Sequence, residues 1–249
     1  MMTRGVIRGF ILAATMSAAT MAADVSDEAI GTTESWTKEG EQAIAERLAY
    51  NVILFIGDGM GISTLTAARI LEGQLRGETG EENYLSFEKF PNTALVKTYN
   101  VDSQVADSAG TASALNTGTK TRIGVINTPP TQMQGDCTAD TFSAVMSTGI
   151  VSTARLTHAT PAAVYAHSPL RDWEVDSEVP ADAKAAGCRD IAQQILDPMM
   201  GDGLEVALGG GRRNFQPKGT GKGKREDGRD ITKEWLTLSK DASYVETTA

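Results

Sequence analysis

Residues 49–61 read AYNVILFIGDGMG. The first nine, AYNVILFIG (49–57), are a near-continuous apolar run ending in glycine, the pattern of a strand buried on both faces. A helical pattern follows from Ser63 to Leu75, with Leu65, Ala68, Ile70 and Leu71 apolar. TALVKTY (93–99) is the next expected strand. SAGTASALNTG (108–118) is rich in small residues and ends at a glycine stop, which predicts a helix packed close against a sheet. TGIVSTA (148–154) reads as a strand and CRDIAQQIL (188–196) as a helix. LEVALGGG (204–211) is a strand running into a glycine turn, and ITKEWLTLSK (231–240) a helix. This alternation predicts an α/β fold in one domain, with a mostly parallel central sheet flanked by helices.

The 249 residues are 41% hydrophobic and 22% charged, a foldable rather than a disordered composition. Lys and Arg number 23 against 32 Asp and Glu, a net charge of −9. An acidic chain repels a polyanion, so a nucleic-acid groove is not expected as its main surface. MMTRGVIR carries two arginines, GFILAATMSAATM is a short apolar run, and Thr20-Met21-Ala22-Ala23 offers small residues for cleavage. Residues 1–23 therefore read as a secretory signal peptide. The run is too short to span a bilayer, so no membrane span is expected after cleavage, and the destination is the periplasm or the exterior. Residues 24–48 form a polar arm, helical from about Glu39 to Leu48, and QPKGTGKGKREDGRD (216–230) reads as a Gly- and charge-rich surface loop.

Export changes the reading of the two cysteines. Cys137 and Cys188 are an even pair in an oxidising compartment, which favours a disulfide over two buried thiols. The loop so closed spans about 50 residues, for which chain entropy gives roughly 4 kcal/mol. No CxxC spacing supports a redox motif or a cysteine zinc site.

In an open α/β sheet, ligands collect where strands end. Three such ends carry polar groups. In Gly57-Asp58-Gly59-Met60-Gly61 the glycines lack the GxGxxG spacing, and a carboxylate in the turn would repel a phosphate unless a cation stood between them. Asp58 is thus either a turn aspartate or a hard oxygen ligand for magnesium or zinc. In Ala106-Asp107-Ser108-Ala109-Gly110-Thr111, Ser108 falls at a helix start, where free N–H groups favour a developing anion. The plain alternative there is an ordinary N-cap. GxSxG is absent, so no nucleophile elbow is indicated, although a metal ion could activate the serine. In Arg155-Leu156-Thr157-His158-Ala159-Thr160-Pro161, His158 and Thr160 offer a nitrogen and a hydroxyl oxygen, either as ligands or as structural groups. Arg171 could pair with Asp172 or Glu174, or clamp a phosphate bidentately.

NVILFIGDGMG, VADSAGTASALNTGTKT, STARLTHATPAAVYAH, GCRDIAQQI and ALGGGRRNF together resemble the alkaline phosphatases, in that family's order and over about residues 49–246. The resemblance implies hydrolysis of phosphate monoesters through a phosphoserine at a zinc and magnesium site. Ser108 then corresponds to the nucleophile and a metal-site oxygen, its alkoxide stabilised by zinc, with Asp107 its usual neighbour. Asp58 matches the carboxylate bridging the second zinc and the magnesium, and Thr160 a magnesium-site oxygen. His158 matches a residue at or just outside that site, and Arg171 the arginine holding the non-bridging phosphate oxygens. Cys137 and Cys188 fit a disulfide seen in part of the family, and a homodimer is the family's expectation for partners.

Two departures accompany the resemblance. Family members are much longer, and their C-terminal half supplies most zinc ligands, including three histidines; here the histidines are His158 and His167 alone. The expectation is an N-terminal fragment, with a partial catalytic domain over 49–249 and negligible phosphatase activity by itself. Residues 138–147 also leave barely the length of a parallel crossover. Two other readings stay open. One is a non-catalytic secreted relative that binds metal or phosphate; the other is a sulfatase- or phosphodiesterase-type metallohydrolase of the same superfamily.

Overall fold

The computed structural model describes residues 52–138, 149–197 and 203–246. The expected leader (1–23), the arm (24–48) and nearly all of the short 138–147 crossover lie outside the described residues. The chain divides after Val96 into two compact units.

In the first unit, helix α1 (Ile62–Leu75) follows the extended Gly61, close to the predicted 63–75. Its last turn closes through the N–H groups of Arg76 and Gly77, donating to Gly73 and Gln74. Gly73 is buried because the returning chain crosses it at Gly80, where a Cβ on Gly73 would lie 2.6 Å from the Gly80 Cα. Asn83 locks this return, donating from Nδ2 to the Arg69 carbonyl at 2.9 Å and to Glu72 Oε2 at 2.7 Å.

The reading of 49–57 as a strand buried on both faces does not hold for its described part. Residues 52–57 carry no ladder, only a single bridge at Ile53, and the apolar side chains are exposed, Phe55 by 74%. TALVKTY (93–99) likewise carries no ladder, and Leu95 is 92% exposed. The physical reason is common to both. A parallel strand is held by its neighbours' backbone groups and by cover on each face, not by local preference, and among the described residues nothing supplies either.

The second unit holds the sheet. Strands β1 (Gly149–Arg155) and β2 (Val206–Gly210) pair in parallel, with Gly149 opposite Val206, Ile150 opposite Ala207 and Val151 opposite Leu208. An irregularity after Val151 brings Arg155 opposite Gly210. These are the expected strands at 148–154 and 204–211, and with the helices they make the chain α/β; the larger parallel sheet is not formed among the described residues. Helix α2 (Ser108–Thr117) stops at Gly118, whose φ of 73° is open to glycine. Short helices α3 (Ala159–Ala162), α4 (Ala181–Ala185), α5 (Ile191–Gln194) and α6 (Ile231–Trp235) complete the unit. α5 and α6 are shorter than the sequence patterns at 188–196 and 231–240. Asp190 and Asp230 cap them by accepting from Gln193 and Lys233, which fixes their starts.

The core gathers Ala109 and Ala112 of α2, Ile150 of β1, Ala159 and Ala162 of α3, and Ile191, Ile195, Phe215 and Ile231 around them. Alanine on both α2 and α3 lets these helices approach closely; the small-residue pattern at 108–118 predicts close packing against a sheet, and the close partner among the described elements is the helix α3 instead. Asn127, buried and at φ 50°, ties the core's polar edge: its Nδ2 donates to the carbonyls of Ala163 (2.7 Å) and Ala166 (2.9 Å). The Cys137–Cys188 disulfide is formed, with a Cα separation of 5.5 Å, beside buried Trp173 and Val179.

Candidate active site

The arrangement begins at the start of α2. Asp107 is its N-cap, accepting on Oδ1 from the Gly110 N–H (3.0 Å) and from Asn100 Nδ2 (3.1 Å). Its Oδ2 accepts from the Gly124 N–H (3.1 Å) and from Arg171 Nη1 (3.0 Å). Four donors occupy the carboxylate. Burial pushes the Asp107 carboxyl up, but Gly110, Asn100, Arg171 and Gly124 together hold it below its ordinary value. The anion is thereby fixed as an anchor rather than poised as a base. Ser108, half-buried, is the first residue of α2 and the next along the chain.

Arg171 reaches this corner because its backbone is stitched to the segment before it. Ile126 and Ser168 exchange N–H···O bonds of 2.8 and 3.0 Å, and the Arg171 N–H donates to the Gly124 carbonyl at 2.8 Å. Gly124, at φ 77°, thus holds Arg171 by its carbonyl and Asp107 by its N–H. The second guanidinium nitrogen, Nη2, lies 3.3 Å from His158 Nε2. His158 stands at the N-cap position of α3, and Thr160 is the second residue of that helix.

The open choice of Asp172 or Glu174 as partner for Arg171 is corrected: the partner is Asp107, 64 positions earlier. Glu174 instead accepts from Arg155 Nε (2.8 Å) and Nη2 (2.6 Å), from the Thr157 hydroxyl (2.6 Å) and from Asn214 Nδ2 (2.9 Å). Burial pushes its carboxyl up, and Arg155 and Thr157 overcome that and hold it low. One carboxylate therefore ties the end of β1, the turn after β2 and the Arg171 segment together. His167 is structural. Its N–H donates to Gln194 Oε1 (2.9 Å), its Nδ1 meets the Asn127 carbonyl (3.2 Å), and burial lowers its pKa.

Asp107, Arg171 and His158 are in contact, and Ser108 and Thr160 flank them along the chain. Asp58 lies in the first compact unit, in a turn where the Met60 N–H donates to the Gly57 carbonyl at 3.3 Å and Gly59 has φ 64°. The sequence reading missed Asn100, Gly124 and Asn214. Gly110 carries one usable signal, since a Cβ there would collide with the Asn100 carboxamide; an obligatory glycine inside a helix start marks a close approach.

Three comparisons bear on this corner. The alkaline phosphatase family model matches residues 49–249, the span that carries Ser108, His158 and Arg171. The chain belongs to the alkaline phosphatase family. Among curated alkaline phosphatases, that of Gadus morhua is 44% identical over 227 residues, covering 82% of this chain and 47% of the relative. The tissue-nonspecific isozyme of Gallus gallus is 42% identical over 245 residues, 85% of this chain and 47% of its own length. The chain thus spans about half the length of the curated alkaline phosphatases it matches. The structure of alkaline phosphatase from the Antarctic bacterium TAB5 superposes with a TM-score of 0.51 at 25% identity, over 73% of this chain and 43% of that one.

Proposed function

We propose that the whole protein hydrolyses phosphate monoesters, with Ser108 as nucleophile and Arg171 as the clamp on the transferring phosphoryl group. The observation that carries this reading is the Asp107–Arg171 pair at the mouth of α2, whose first residue is Ser108, in a chain of the alkaline phosphatase family. In the reaction, Ser108 Oγ forms a bond to phosphorus as the bond to the alcohol oxygen breaks, leaving phosphoserine and the alcohol. Water then cleaves the phosphoserine to inorganic phosphate and restores the hydroxyl. The N–H groups at the start of α2 and the Arg171 guanidinium favour charge on the equatorial oxygens. Because Asp107 and Gly124 hold Arg171 before substrate arrives, little reorganisation is needed at that step. Selectivity for the alcohol should be low, because the groups named all address the phosphoryl end.

Zinc and magnesium are the ions we propose for the whole protein; they would lower the pKa of the serine hydroxyl and support the leaving oxygen. Asp58, Ser108, His158 and Thr160 are donors of the right kind. Among the described residues, however, no group of three or more His, Cys, Asp or Glu could hold a metal ion, and a guanidinium faces His158 Nε2. These residues do not by themselves complete a metal site, so the steps above run through protein groups alone. That same incompleteness favours a second reading, a non-catalytic phosphate binder. Export to the periplasm or beyond accords with the disulfide, and no described helix is long and apolar enough to cross a membrane.

The test is covalent trapping. The whole protein is incubated with a labelled phosphate monoester and metal, quenched in acid and digested for mass spectrometry. Label on Ser108, absent from Ser108→Ala, is the expected result. Label retained elsewhere in the Ser108→Ala protein would overturn the nucleophile assignment.

A further inference from the structure

The Gly- and Lys-rich excursion at 216–230 has the composition of a loose surface loop, and its structure is not loose. Arg225, at its centre, has a fully buried side chain. It donates from Nη1 and Nη2 to Asp190 (3.0 and 3.2 Å) and from Nε to Asp227 at 3.0 Å, and Asp176 lies 3.9 Å away. Asp176 also accepts the N–H groups of Glu226 and Asp227. The backbone is stitched in step, Arg225 N–H to the Gln216 carbonyl (3.1 Å), Lys218 N–H to the Arg225 carbonyl (2.9 Å) and Lys224 N–H to the Arg213 carbonyl (2.8 Å). Gly223 permits the close return of the chain, since a Cβ there would strike the Pro217 carbonyl.

What this rigid loop does is bring Lys222 to the turn after β2. There Lys222, Arg155, Arg212 and Arg213 line one concavity of about 510 Å³, with Gly211 and Gly221 in its wall and no carboxylate lining it. Gly211, at φ 89°, lets the turn lie against Arg155, where a Cβ would come within 2.8 Å of the Arg155 Cβ. Two of the four cations are already paired, Arg155 with Glu174 and Arg212 with Glu246. Arg213 and Lys222 have no carboxylate within ion-pair distance among the described residues. In a chain of net charge −9, four cationic residues from three segments line one pocket, and the Arg155 guanidinium is held by Glu174. With Glu174 and Glu246 each offsetting one of them, Arg213 and Lys222 leave two positive charges there for an anion to meet.

We propose that this pocket is a binding subsite for a small polyphosphate-type anion, separate from the Ser108–Arg171 corner. At about 510 Å³ the pocket has room for two linked phosphates, and the Arg213 guanidinium fork, which no described carboxylate occupies, suits phosphate oxygens. None of Ser108, His158 or Arg171 lines the pocket, so the subsite stands whether or not Ser108 is a nucleophile.

The experiment is titration calorimetry of the full chain with pyrophosphate and, separately, orthophosphate, in low-salt buffer freed of metal and of chelators. Expected is saturable binding of one pyrophosphate per chain, tighter than orthophosphate and weakening steeply with added salt. Arg213→Gln with Lys222→Gln should weaken it by about tenfold or more, while Arg171→Ala leaves it unchanged. Both substituted side chains are exposed, and Lys222→Gln alone should weaken binding by about threefold if the pair together disturbs the fold. Absence of saturable binding overturns the proposal. So does binding lost in Arg171→Ala and kept in the double variant, which would place the anion at the Ser108 corner and leave that reading intact. Equal affinity for citrate would overturn the phosphate class.

Discussion

Asp107→Asn isolates the charge that anchors the candidate site from the cap that starts its helix. Asparagine can still accept on Oδ1 from the Gly110 N–H and from Asn100, so the cap survives. In place of Oδ2 it presents an amide, donor against donor, to the Gly124 N–H and Arg171 Nη1, which now lie 3.1 and 3.0 Å from that oxygen. The pair is largely buried, with side chains 16% and 24% exposed. Losing two hydrogen bonds to a charged group there should cost about 3 kcal/mol. Asp107→Ala removes the cap as well, adding about 1 kcal/mol. Urea denaturation followed by tryptophan fluorescence reads both as shifts in midpoint at constant slope. The pH dependence gives a second check. Asp107's folded pKa is depressed, so its contribution is fully present above its unfolded value near 3.8 and is lost as pH falls through the lower folded value. The gap between wild type and Asp107→Asn should therefore be constant above about pH 5 and close below about pH 4. Losses under about 1 kcal/mol in both variants, or a gap unchanged to pH 3, would refute the anchoring argument.

Three further outcomes follow from groups away from the helix start. Arg225→Ala leaves buried Asp190 uncompensated and should destabilise by about 3–5 kcal/mol, read as a lower urea midpoint; a loss near zero would mean that the 216–230 excursion is not held by this residue. Replacing Cys137 and Cys188 together by serine should cost up to about 4 kcal/mol, and a reductant titration of wild-type stability should reproduce the loss. Glu174→Ala strands the Thr157 hydroxyl, the Asn214 amide and Arg155 at once, and should cost about 2–3 kcal/mol. In thermal melts Glu174→Gln should fall between that variant and wild type, because it keeps an acceptor for Thr157 and Asn214.

The sequence was most legible where local chemistry decides structure. α2 starts and stops where an aspartate cap and a glycine require it, and β1 and β2 lie on the runs expected to form strands. The disulfide accords with an even cysteine pair in a chain expected to be exported. The long apolar run at 49–57 misled for a physical reason: continuous hydrophobicity states that a segment needs cover, not that a given set of residues provides it. The stretch at 216–230 is the surface loop its composition indicates, but the burial of Arg225 within it was not legible, because it depends on Asp190 and Asp176, 35 and 49 positions away in the chain. The corner at Ser108 was readable as separate polar segments, one at Asp107–Ser108 and others at His158 and Arg171, but not as a connected site.

By itself, the sequence determined the residue types available to the chemistry, the start and stop of α2, and membership of the alkaline phosphatase family through motifs that local pattern preserves. Only the tertiary structure decided the pairings. Asp107 meets Arg171 because residues 124–126 and 168–171 run alongside each other, and Glu174 meets Arg155 rather than its neighbour Arg171 because β1 ends at that carboxylate. A charge's partner is set by which segments the fold brings together, and Coulomb attraction over 3 Å is indifferent to separation along the chain.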